Sequence, residues 1–208
     1  MKPVYKIIIG ILAAISIGIL YNYLQPAQPL EDKEYADYQM QIQEAFLYCK
    51  QNHFNSDYFF LADLSLHSGK KRLYLIDFNK KTIVARYMVS HGCGSYFWKM
   101  TLSKSNASIS NKPNSHCSSV GKYKIGEKGF SNWGIGVKYL LHGLEASNSN
   151  ALKRAVVLHS WSEVSDKEVY PDGTPEGWGC PAVSNNAMRE IAQKIDASEK
   201  RILLEIIK

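Results

Sequence analysis

Cys180 stands in Gly177-Trp178-Gly179-Cys180-Pro181-Ala182-Val183, a stretch that begins eighteen residues after His159 in the apolar run Val156-Val157-Leu158-His159-Ser160-Trp161. A thiolate is a strong nucleophile and a nearby imidazole can take its proton, so the pair points to acyl transfer through a thioester. Glycine before the cysteine permits a sharp turn and leaves backbone N–H groups to face a developing oxyanion. Proline after it fixes the exit direction. The expected oxyanion donors are the N–H groups of Gly179 and Cys180, with Trp178 as a cleft wall that excludes water. A thiol paired with an imidazolium would be largely ionised at neutral pH and would alkylate fast down to about pH 6. A cysteine and a histidine at this spacing also arise by chance, and either is at home in a core. Spacing alone leaves both readings open.

Four further stretches accompany the cysteine, in order: Val89-Ser90-His91-Gly92-Cys93-Gly94-Ser95; Ser115-His116-Cys117-Ser118-Ser119-Val120-Gly121-Lys122-Tyr123; Leu141-His142-Gly143-Leu144-Glu145; and Asn150-Ala151-Leu152-Lys153-Arg154-Ala155-Val156-Val157-Leu158-His159. With Gly179-Cys180-Pro181-Ala182-Val183 they make the last 120 or so residues resemble the murein L,D-transpeptidase catalytic-domain family, bacterial cysteine enzymes that remodel peptidoglycan. The resemblance implies a twisted β-sandwich with a few short helices and a cleft near its Cys/His end. It implies Cys180 as nucleophile and His159 as the base that later protonates the leaving amine. A backbone carbonyl in the Ser160 or Trp161 region would orient the ring, with Glu163 and Asp166 as side-chain rivals. His91 and Ser119 are carried over as substrate-facing or site-supporting residues, while His142 falls on a supporting segment. The implied partners are peptidoglycan stem peptides, with carbapenem-type β-lactams as covalent inhibitors. No metal or organic cofactor is implied.

Two positions depart from the family pattern. The wider group carries Ser-His-Gly-Cys at the nucleophile, where this chain has Gly177-Trp178-Gly179-Cys180. The branch it most resembles carries Arg-Ser where this chain has Glu176-Gly177, which removes a cation beside the site. That second departure supports an alternative reading, a wall-binding module on the same fold with weak or no catalysis. A papain-like hydrolase would place its nucleophile ahead of its histidine, and here His159 comes first. Glu163, Asp166, Glu168, Asp172 and Glu176 read as solvated loop charges, one of which could meet the ammonium of a diaminopimelate side chain.

The elements that must position these residues follow from pattern. The 208 residues, 45% apolar and 21% charged, suffice for one well-cored domain. A formal charge of +6 suits an anionic polymer or lipid. No arginine-rich run or recognition motif favours nucleic acid. Lys2 and Lys6 precede an apolar run, and Val4 to Leu24 gives about 21 residues, enough to cross a bilayer. Residues 1–24 therefore read as a signal-anchor with a cytoplasmic N-terminus, or as a cleaved signal peptide, the anchor being preferred. Everything later then lies outside the cytoplasm, in the periplasm. Residues 25–56 read as a linker and an amphipathic helix, with Tyr35, Tyr38, Ile42, Ala45, Phe46 and Cys49 on one stripe. Residues 57–208 read as the catalytic domain.

Within that domain, Leu73 to Phe78 and Ile83 to Val89 form a hairpin through Asn79-Lys80-Lys81-Thr82. A short helix is expected over Asn148 to Lys153, then a strand from Ala155 to His159. A long exposed loop runs from Asp166 to Trp178. Asn185 is the expected cap of a helix bearing Met188, Ile191, Ala192 and Ile195, and Arg201 to Ile207 closes as a strand. Cys49, Cys93, Cys117 and Cys180 match no metal spacing. Three unlinked cysteines beside a working thiol are the default, and the resemblance leaves a Cys93–Cys117 disulfide open.

Overall fold

A computed structural model describes residues 33–208. The expected anchor over residues 4–24 lies outside them. Two short helices, α1 (Lys33–Asp37) and α2 (Gln39–Gln51), lead into eight strands: β1 (Tyr58–Asp63), β2 (Leu73–Asp77), β3 (Thr82–Tyr87), β4 (Gly121–Phe130), β5 (Val137–Gly143), β6 (Val157–Ser160), β7 (Ala182–Val183) and β8 (Leu203–Ile207). Helix α3 (Asn185–Asp196) separates the last two. The fold is mostly β, as expected.

The strands join into one sheet in the order β3-β2-β1-β8-β4-β5-β6-β7. The last strand makes the difference: β8 runs parallel to β1 on one side and antiparallel to β4 on the other, so it closes the gap between the amino-terminal hairpin and the strands that carry the site. The β2–β3 hairpin forms as expected, with a register shift at Leu75/Ile76.

Side chains alternate across the sheet with period two. Phe59, Leu61, Tyr74 and Ile76 pack with Ile42, Ala45 and Cys49 of α2. Phe60, Ala62, Leu73 and Leu75 enter the opposite core with Met188 and Ile191 of α3. Burial of each large apolar side chain contributes about 1.5–3 kcal/mol before conformational entropy is counted, so both helices are held chiefly by the sheet. At the break between α1 and α2, the Tyr38 hydroxyl donates to buried Asp63 at 2.7 Å.

Two local expectations change. The cap of α3 is Ser184, one residue earlier than expected: its hydroxyl accepts the Ala187 N–H at 3.1 Å and donates to Asp166. Such a cap stabilises a helix by about 1 kcal/mol. Residues 148–153 form turns rather than a helix. The Asn148 side chain accepts the Glu145 N–H at 3.0 Å and donates to the Lys122 carbonyl at 2.9 Å, which ties the chain to itself and to β4.

Candidate active site

Parallel pairing of β6 with β7 sets His159 opposite Ala182 and Ser160 opposite Val183. Cys180 therefore arrives two residues before the strand that lies beside the histidine. Pro181, which has no N–H to give, falls just outside the ladder, and the Ser90 N–H donates to the Ala182 carbonyl at 2.8 Å. Cys180 and His159 line one cleft together with Trp98, Trp133, Trp161 and Trp178. These are all four tryptophans of the chain. A second depression meets the first at the same pair and is lined on its far side by Phe130, Asn132, Lys138 and Leu152.

The His159 ring is fixed at one nitrogen. Nδ1 lies 3.0 Å from the Ser160 carbonyl oxygen, which can only accept, so Nδ1 carries the proton and Nε2 keeps its lone pair. Nε2 has no hydrogen-bond partner among the described residues. The side-chain rivals are engaged elsewhere: Glu163 pairs with Lys99 at 2.5 Å, and Asp166 holds Ser184 and Asn186. The Cys180 sulfur accepts the Val157 N–H at 3.5 Å and lies 3.7 Å from the Ala155 carbonyl. Ala155 has a φ of 55°, a left-handed conformation that costs a residue with a Cβ energy, at the point where the chain turns into β6.

Burial pushes the Cys180 thiol up, opposed by the Val157 N–H, Arg154 and Lys138. Burial likewise lowers the His159 imidazole, opposed by the Ser160 carbonyl. Both shifts favour the neutral forms of the two groups. An unprotonated Nε2 remains suited to taking the proton as a bond to sulfur forms.

Gly179 has a φ of 101°, and a Cβ there would stand 2.3 Å from the Cys117 carbonyl oxygen. Only glycine fits. The N–H groups of Gly179 and Cys180 make no hydrogen bond among the described residues and are available to an oxyanion. Trp178 is 60% exposed on the cleft wall, its indole stacked on His116 with ring centroids 5.5 Å apart.

The other two residues carried over by resemblance lie beneath the cleft rather than on its wall. His91 is 0% exposed and Ser119 2%. The Ser119 hydroxyl engages the Tyr123 hydroxyl at 2.8 Å and accepts from Arg154 at 3.2 Å. His142 is held by Glu127 at 3.0 Å, away from both depressions. All four cysteines are free thiols. Sequence reasoning missed Arg154, whose guanidinium donates to the carbonyls of Ser110 and Cys117 and so braces the segment against which Gly179 packs. Its position five residues before His159 in a matched stretch was the available signal. Glu176 is also corrected: it is 0% exposed, not a solvated loop charge.

Among solved structures, this chain is similar to an L,D-transpeptidase from Xylanimonas cellulosilytica, at 13% identity and a TM-score of 0.44 over 72% of this chain and 59% of that one. It is similar to the helical cell shape determining protein Pgp2 from Campylobacter jejuni, at 12% identity and a TM-score of 0.46 over 72% and 46% of the two chains. It is similar too to Bd1075 from Bdellovibrio bacteriovorus, at 18% identity and a TM-score of 0.45 over 75% and 49%. The chain thus spans between about half and three-fifths of the length of these proteins. No curated protein matches it. The family profile of the L,D-transpeptidase catalytic domain matches residues 31–203, from just ahead of α1 to the first residue of β8. The chain belongs to the L,D-transpeptidase catalytic-domain family.

Proposed function

We propose that this protein is a peptidoglycan L,D-transpeptidase in which Cys180 is the nucleophile. The thiol attacks the carbonyl that joins the L-centre of a stem peptide to its terminal D-alanine, while Nε2 of His159 takes the thiol proton. The N–H groups of Gly179 and Cys180 receive the developing oxyanion. Collapse of the tetrahedral intermediate breaks the C–N bond, the imidazolium protonates the departing amine, and a thioester remains on sulfur. An amine from a neighbouring stem then takes the acyl group, giving a cross-link, or water takes it, giving a trimmed stem.

The observation that carries this reading is the state of His159: one nitrogen pinned by a backbone carbonyl, the other unoccupied, in a cleft shared with the cysteine. The two depressions meeting at that pair suit a reaction with an acyl donor and an acyl acceptor, and Lys138 gives one of them a cation to meet a peptide carboxylate. Within this reading His91 and Ser119 support the site from below. Residues 4–24 anchor the domain on the outer side of the cytoplasmic membrane, where its substrate lies.

The test is D-alanine release from tetrapeptide stems, together with intact mass after incubation with a carbapenem. Release that is lost in Cys180→Ala, and an adduct that maps to Cys180, are expected. Release that survives Cys180→Ala ends the assignment. A reporter fused after Leu24 should lie outside the cytoplasm; a cytoplasmic reporter overturns the location.

A further inference from the structure

Under the cleft runs a buried chain of polar side chains that the chemistry above does not use. Arg72, fully buried, donates from Nε and Nη2 to the Val89 carbonyl, from Nη1 to the Leu66 carbonyl, and again from Nη2 to Nδ1 of His91 at 2.7 Å. A guanidinium can only donate, so Nδ1 accepts and Nε2 of His91 carries the proton. Nε2 then donates to the Ser103 hydroxyl at 2.6 Å, and that hydroxyl donates to Oε1 of Glu176 at 2.9 Å. Every hydrogen has one assignment. The chain leads from a cation to an anion through two neutral groups.

Its acidic end is tied to the nucleophile's own segment. Oε1 of Glu176 also accepts the Ser103 N–H at 2.7 Å. The Glu176 N–H donates to the Met100 carbonyl at 2.9 Å, and the Lys99 N–H donates to the Glu176 carbonyl at 3.0 Å. Next to it, the Gly177 N–H donates to the His91 carbonyl at 2.8 Å and the Cys93 N–H to the Gly177 carbonyl at 2.7 Å. One residue thus joins the segment that ends in Cys180 to the segment that carries Trp98. Trp98 in turn stacks on Trp161 at 5.8 Å, nearly parallel, and lies 5.9 Å from Trp178. Oε2 of Glu176 has no hydrogen-bond partner among the described residues. A buried carboxylate satisfied on one oxygen, and joined to the Arg72 cation through two intervening side chains, is a poor device for stability alone.

We propose that Glu176 is a positioning residue: as the acceptor end of the Arg72–His91–Ser103 chain, it clamps the Trp98 segment to the Cys180 segment and so fixes the aromatic wall over the thiol. This rests on the reading of Cys180 as the nucleophile. The clamp does two things at once. It holds the wall where a stem peptide must dock, and it keeps the half-buried thiol partly covered until one does. The charged groups that face the thiol from its other neighbours are Arg154 and Lys138, with His159 beside it.

The two effects separate in experiment. In the full chain, D-alanine release and iodoacetamide alkylation at pH 7, read at Cys180 by peptide mapping, are compared for wild type, Glu176→Ala, Glu176→Gln, Ser103→Ala and Ser103→Thr, with melting temperature as the control for folding. Glu176→Ala should lower kcat by about 100-fold, the scale of an ångström-sized misplacement. The same variant should alkylate about tenfold faster, because an uncovered thiol returns toward its ordinary pKa. Glu176→Gln, which keeps an acceptor of the same shape, should show both changes more weakly. Ser103→Ala should follow the same pattern, and Ser103→Thr, which restores the hydroxyl, should recover most of it. If Glu176→Ala does not fold, the Ser103 pair decides. Slower turnover with faster alkylation at an unchanged melting temperature supports the clamp. Variants that lose only melting temperature, with both rates as in wild type, overturn it. A wild type that releases no D-alanine while the alkylation pattern holds ends the transpeptidase reading and leaves the clamp standing.

Discussion

His159 and His91 sit on either side of the cleft floor and differ in one respect that decides their chemistry. His159 has Nδ1 on a carbonyl and Nε2 unoccupied at the cleft surface. His91 has both nitrogens filled, one by a guanidinium and one by a hydroxyl, and no surface at all. Burial and the neighbouring Arg72 push its imidazole down to about 3. The cysteines divide in the same way. Desolvation pushes up the thiols of Cys49, Cys93 and Cys180 alike, Cys49 to about 12, but of these three it is Cys180, half-buried, that reaches the cleft beside an imidazole. Residue type supplies the chemical group; an unoccupied lone pair facing a cavity is what makes it available for reaction.

The difference between the two histidines is largest at the proposed catalytic pair. Cys180→Ala and His159→Ala should each lower D-alanine release by more than about a thousandfold with the fold intact, and the double variant should be scarcely worse than either, because the two act as one unit. Initial rates and circular dichroism check both halves. A His91→Ala variant that matched His159→Ala in rate while keeping its melting temperature would erase the distinction between the two histidines.

Gly179→Ala comes next. The left-handed backbone there costs a residue with a Cβ about 1–3 kcal/mol, and the new methyl meets the Cys117 carbonyl as well. The segment must shift, and the N–H groups proposed as oxyanion donors shift with it. The expected outcome is loss of most turnover together with a lower unfolding midpoint in urea. Wild-type turnover in this variant would show that the donors lie elsewhere.

How much of this was legible in the sequence depends on whether a feature is local. The β2–β3 hairpin, the stripe of α2 and the Cys180 and His159 candidates could all be read, since each is written within a few residues. The single sheet could not be read, because it depends on where the carboxy-terminal strand inserts, and no local pattern states that Leu203 pairs with Phe59. Ser184 was missed as the cap because Asn185 is equally good by type; only the backbone geometry separates neighbours. Glu176 was misread for a related reason. A glutamate in a loop with two prolines and two glycines reads as solvated, and its partners, Ser103 and the Met100 carbonyl, lie more than seventy residues away.

The pH dependence of stability sharpens the contrast further. His91 binds a proton near 6.5 when unfolded and near 3 when folded, so across that window the unfolded chain holds more protons. Its contribution is present above 6.5 and is lost as pH falls toward 3. The His159 imidazole is also lowered, so its contribution has the same sign and fades below 6.5. Melting temperature should therefore decline on acidification from pH 7 to 4, and His91→Gln should flatten the decline even if it starts from a lower value. A His91→Gln profile parallel to wild type would place the acid sensitivity elsewhere, with His159 the next residue to vary.

The smallest expected effect belongs to the third histidine. His142 on β5 follows a leucine and precedes a glycine, a local sequence that invites a catalytic role. Its Nε2 instead meets Glu127, an exposed carboxylate already shared with Arg201 at 3.4 Å. Exposed pairs of this kind are screened by solvent and exchange readily with water, so removing one side costs little. His142→Gln keeps a polar group at the same reach. It should leave D-alanine release unchanged and move the melting temperature by less than about 2 °C. The side chain has no unoccupied nitrogen aimed into the cleft, which is the criterion that separates His159 from His91. A tenfold loss of turnover in His142→Gln, with the fold unaltered, would mean that the criterion itself is wrong, and that proximity to a cavity is not what makes a histidine of this protein reactive.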